Sequence, residues 1–248
     1  MQALLSYDQS PPIAAPFRFF LTAPVFGILA GALLLWSGAD LLASRWTPGV
    51  LAMTHLGTVG FMLLVMLGAM VQILPVVAGA NMARPMLVSG VVHAAITLGT
   101  LFLVTAFLSF SPYWFMAAAL FLGAGVAVFI AAAVHALYGI PSTSPTIRGL
   151  KLALVGLAVT VGLGVVMSLS FGWSLNLPLL QLANIHLGWG FVAWGGVLLA
   201  AVGYVVVPMF QLTPPYPGWF GRGFSISALT AVAVWTIADY ALPDMFSM

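Results

Sequence analysis

Cysteine is absent from this chain. That excludes disulfides, iron–sulfur clusters, thiolate metal sites and haem attached through cysteine. Charge is nearly absent too, with six Lys and Arg and four acids in 248 residues. Water-soluble domains carry about a quarter charged residues, so ten cannot cover such a surface. The acids are Asp8, Asp40, Asp239 and Asp244. None falls in the middle of an apolar run, so a carboxylate proton relay is not expected. No Gly-rich phosphate loop opens a soluble helix, and no segment is left for a nucleotide-binding domain. Met1 to Pro16 hold prolines and an acid but no basic cluster, unlike a cleaved signal peptide.

What is present is apolar: 63% of the residues are hydrophobic, in long unbroken runs. About 20 such residues cross the roughly 30 Å hydrocarbon core of a bilayer as a helix. A barrel strand would alternate instead. Breaks at polar, Pro and Gly clusters predict spans at Arg18–Leu42, Val50–Ala78, Met86–Phe110, Tyr113–Tyr138, Gly149–Phe171, Leu180–Met209 and Phe224–Leu242. The expected fold is an all-α membrane protein, a bundle of seven transmembrane helices. A short tail, residues 1–17, precedes a single seven-helix domain, residues 18–248. Arg18, Arg84, Arg148, Lys151 and Arg222 fall on one side of this topology, and Arg45 alone on the other. The positive-inside rule then predicts a cytoplasmic N-terminus, a periplasmic C-terminus and a multi-pass protein of the bacterial inner membrane.

The four histidines are His55, His93, His135 and His186. Ionisable residues inside a membrane are functional candidates by default; the plain alternative is a hydrogen bond that helps two helices associate. His55 and His186 fall near the outer ends of the second and sixth spans, on parallel helices. Haem iron takes axial imidazoles from both sides of a porphyrin, which requires small residues nearby. Gly57 and Gly60 follow His55; Gly188, Gly190, Gly195 and Gly196 follow His186. Arg45, just before the helix bearing His55, is a candidate partner for a haem propionate or else an interfacial anchor beside Trp46. His93 and His135 belong to the opposite half. They are a candidate pair for a second haem, although His135 lies nearer the interface; a hydrogen-bonded structural pair or a quinone-site histidine is an equal alternative. Met62, Met66 and Met70 recur every four residues beside His55. Thioethers bind cuprous copper, and they also fill irregular gaps in packing.

The stretches THLGTVGF…GAMVQILPVVAG, from Thr54, and NIHLGWGF…VGYVVVPMFQ, from Asn184, share an outline. A histidine leads each, and Pro75 or Pro208 closes it about a bilayer later. The outline suggests either an internal duplication, with a small gap needed to align the copies, or convergent use of glycine and proline in a bundle. Both stretches resemble the catalytic subunit of the haem-copper oxidases, a superfamily that includes nitric oxide reductases. Comparable helices occur in a membrane family tied to nitric oxide response. The resemblance covers about a quarter of the chain. It implies that His55 and His186 are the axial ligands of a low-spin haem b. The ligand of the reactive high-spin haem is replaced by Asn184, and the adjacent histidine pair that would hold copper is missing. The resemblance therefore implies an electron-carrying haem protein without the oxygen- or nitric-oxide-reducing centre, rather than a stand-alone enzyme. A quinol or a periplasmic redox protein would be its partner, and self-association is compatible with its apolar sides. Two other readings stand beside this one: a haem-based sensor or binder of nitric oxide or another gas, and a copper-binding or transport protein.

Overall fold

A computed structural model describes residues 7–241. The protein is 85% helical, and the described residues contain no strand. Seven helices are long and apolar enough to cross a bilayer. They are α1 (Ala14–Ser37), α2 (Pro48–Ala78), α3 (Pro85–Ser109), α4 (Pro112–Leu137), α5 (Pro145–Trp173), α6 (Leu179–Gln211) and α7 (Gly218–Ala241). Four of them open on proline, whose missing N–H costs nothing in a first turn. Thr47 caps α2 by accepting from the Val50 N–H, and Ser144 caps α5 by accepting from the Ile147 N–H.

Several boundaries differ from the hydropathy reading, and α5 begins at Pro145 rather than Gly149. The helix α1 takes in residues 14–17, read as tail, and stops at Ser37 because Gly38 turns left-handed (φ 68°). A separate 3-10 turn, Ala39–Ala43, takes the place of the end of the span read as reaching Leu42. The helix α7 begins six residues earlier than Phe224, through Gly218, Gly221 and Arg222. Gly221 is helical there because it packs directly on Pro145 of α5, where a Cβ would stand 2.8 Å from the proline ring. Glycine and arginine read as a loop when that neighbour is not known.

The chain divides into two compact units. The first runs up to Leu137 and takes Ser168–Asn176; the second holds Tyr138–Met167 and the chain from Leu177. In the first, α3 and α4 pack closely, with Gly99 against Leu122 and Gly125 against Ala95 and Ile96. Small residues let helix backbones approach, which is how helices associate where lipid is as apolar as leucine. A buried cluster of Ala52, Leu103, Ala106, Phe107, Phe115 and Ala118 ties α2, α3 and α4 together.

The two halves repeat each other in register. Each of α2 and α6 contains an eight-residue π-helical segment, Leu56–Leu63 and Trp189–Gly196. Each segment leads into fifteen α-helical residues, Leu64–Ala78 and Val197–Gln211, with Pro75 and Pro208 at equivalent places. Each helix ends on a left-handed residue, Gly79 or Leu212. A constant separation of 133 residues links all these pairs, and links the start of α3 at Pro85 to that of α7 at Gly218. The packing repeats as well. In the first unit Gly68 of α2 meets Pro16 and Phe19 of α1; in the second, the equivalent Ala201 meets Gly149 of α5, the equivalent of Pro16. The helices α1–α3 and α5–α7 are thus two copies of one three-helix motif, with α4 between them in sequence.

Candidate haem-ligand histidines

His55 is the last residue before the π segment of α2. Its Nδ1 donates to the Leu51 carbonyl at 2.7 Å. The half-buried ring lies against Phe107 of α3, with centroids 5.2 Å apart. Phe107 meets Phe115 edge-on, and Phe115 stacks on Phe171 at 4.7 Å. An apolar aromatic wall therefore stands on one side of the imidazole.

His186 stands three residues before the π segment of α6. Its Nδ1 donates across to the Thr160 carbonyl of α5 at 2.9 Å. Gly164, one turn further along α5, makes room: a Cβ there would lie 3.2 Å from the His186 Cε1. One turn the other way, Gly156 sits so close to the π segment that a Cβ would collide with the Ala193 carbonyl.

A carbonyl oxygen only accepts, so both Nδ1 atoms carry the proton. Each neutral ring then has its lone pair on Nε2. That is the tautomer of a metal-bound imidazole, and an Nδ1–H held by a carbonyl is the usual outer partner of such a ligand. Each imidazole, taken by itself, is held as a haem-iron ligand would be. No three His, Asp or Glu gather as a bare metal ion would require among the described residues; haem needs only the axial pair.

The duplication does not carry the histidines. In the repeat register the residue equivalent to His55 is Gly188, and the residue equivalent to His186 is Met53. A shift of two residues turns an α-helix by about 200°. Accordingly His55 faces α3 in its unit, whereas His186 faces α5, the counterpart of α1. The small alignment gap expected from the sequence falls between the histidine and the π segment.

The remaining sequence candidates are placed as follows. Arg45 is exposed, with its guanidinium 4.4 Å above the Trp46 ring. His93 turns toward α1: its Nε2 shares a 2.8 Å hydrogen bond with the Thr22 hydroxyl, and Phe19 meets the ring edge-on at 5.5 Å. His135 is exposed in the last turns of α4. The contacts of Gly99 and Gly125 set the level of α4 against α3, and put His135 about 10 Å along the helix axis from His93. The structure does not bring these two together. Met66 and Met70 are buried in the packing of the first unit, while Met62, in the π segment, is 36% exposed. Thr22, Thr160, Gly164 and Phe107 were not singled out from the sequence. A main-chain acceptor such as the Thr160 carbonyl has no side-chain signature.

These features define a multi-pass helical membrane protein with a histidine beside a π segment in each copy of its repeat. The chain matches no protein-family model, no curated protein and no solved structure.

Proposed function

We propose that this chain is a haem b-binding protein that carries electrons in the bacterial inner membrane, with His55 and His186 as the axial imidazoles. The observation that supports the reading is the shared Nδ1 contact: each Nδ1–H is held by a main-chain carbonyl, as is usual for a metal-bound imidazole. Haem bound by two imidazoles supplies one-electron redox chemistry and leaves no coordination position open for a gas. The protein's own residues hold the rings. Leu51 and Thr160 fix their rotation, Phe107 keeps water from the His55 ring, and Gly164 leaves space for that of His186. Arg45, at the start of the helix that carries His55, is the candidate counter-charge for a propionate. Electrons would pass between a quinol or a membrane partner and a redox protein on the periplasmic side.

A Soret band with a pyridine haemochrome of the b type in the purified protein tests the reading. Colourless protein from cells supplied with haem would end it. The burial of Met66 and Met70 supports a packing role for these side chains over copper binding.

A further inference from the structure

The second unit holds three cations at one end, with no carboxylate beside them among the described residues. Arg148 and Lys151 lie in the first two turns of α5, and Arg222 in the first turns of α7. Main-chain oxygens draw them together. Arg148 Nη1 donates to the Arg222 carbonyl at 3.1 Å and Nη2 to the Ser142 carbonyl at 3.5 Å. Lys151 Nζ donates to the Ile140 carbonyl at 2.5 Å. The Arg222 guanidinium folds back over Gly218, where a Cβ would lie 3.4 Å from its Nη1. The described acid of this unit, Asp239, stands at the other end of α7, about 25 Å away at 1.5 Å per residue. The amino ends of α5 and α7 both point their positive dipole ends to this side.

Two buried hydroxyls at the same end have no hydrogen-bond partner, Ser225 Oγ and Tyr204 Oη. Ser225 is only 2% exposed. Around them the surface is built for a lipid interface. Tyr216 stacks on Phe220 at 6.2 Å, Trp219 meets Phe220 edge-on, and Trp219 is 72% exposed. Such aromatic side chains collect at the headgroup level of a bilayer. Three like charges gathered beside apolar helices need an anion, and the described residues of this unit offer none nearby.

We infer that Arg148, Lys151 and Arg222 form a binding site for the phosphodiester headgroup of an anionic phospholipid. The carbonyls of Ile140, Ser142 and Arg222 hold Lys151 and Arg148 in place. The exposed aromatic residues lie beside the acyl chains. The site is independent of haem.

The test uses the full-length protein in nanodiscs of phosphatidylcholine with graded phosphatidylglycerol. Native mass spectrometry reads the lipid retained per chain. Phosphatidylglycerol should be retained about 150-fold more tightly than phosphatidylcholine, and Arg148→Gln with Arg222→Gln should cut that preference to about fivefold. The Arg148 contacts also tie down the loop, so Arg222→Gln alone is the safer probe; it should weaken the preference about fivefold. Arg18→Gln, in the first unit, should leave it unchanged. Equal retention of the two lipids, or an unchanged preference in Arg222→Gln and in the double variant, overturns the proposal. So does displacement of the lipid by millimolar inorganic phosphate, which would make the ligand a free anion.

Discussion

The His186 imidazole donates a 2.9 Å hydrogen bond to the Thr160 carbonyl of α5, and Gly164 leaves the space beside it. Gly164→Val fills that space and turns the ring. Haem content should fall severalfold, with helicity by circular dichroism unchanged. Gly162 has nothing within 4 Å of its Cβ direction, so Gly162→Val is the matched control and should keep its haem. Equal haem in the two variants would separate the Gly164 contact from ligation.

Alanine at His55 or at His186 should each convert a six-coordinate low-spin spectrum into a five-coordinate or haem-free one. Imidazole added to the medium should restore part of the low-spin signal. Spectra indistinguishable from the unsubstituted protein would remove both residues as ligands.

Iron analysis should return one haem per chain. His93 is engaged by Thr22, and His135 lies about 10 Å along the helix axis from it, an arrangement that argues against a second haem held by this pair. Two equivalents of haem iron would contradict that arrangement.

Thr22 and His93 tie α1 to α3 by a hydrogen bond within the membrane. Thr22→Val should cost about 1 kcal/mol, the usual worth of such a bond. A double-mutant cycle with His93→Phe, read by detergent unfolding, isolates the pair. Haem absorbance should stay constant throughout.

Gly156 touches the Ala193 main chain, whereas Gly31 has nothing within 4 Å. Gly156→Leu should therefore destabilise the second unit by about 1–3 kcal/mol or more, since a backbone cannot step aside like a side chain. Gly31→Leu should be nearly neutral. Similar melting temperatures for the two would show that the close approach is not maintained.

Much of this was legible because a bilayer imposes simple rules. Apolar runs between prolines and glycines marked all seven helices. The α7 start was misread because Gly218, Gly221 and Arg222 look like a loop until Pro145 is seen against them. The duplication was visible as an outline. Aligned on the histidines it needed a gap, whereas Pro75 and Pro208 carry the true register. The π segments were not visible, since a change from four-residue to five-residue hydrogen bonding leaves little trace in composition.

Composition alone determined that this chain lives in a membrane and crosses it as helices, because so few charges and so many apolar residues leave no other way to satisfy the backbone. It also determined that any redox centre must do without sulfur from cysteine. Tertiary structure decided the rest. It set which face each histidine takes, since two residues of shift turn a helix about halfway round. It also decided that Thr160 and Leu51 hold the rings, and that Arg148 reaches Arg222, because main-chain acceptors and distant helix ends meet only once the helices have packed.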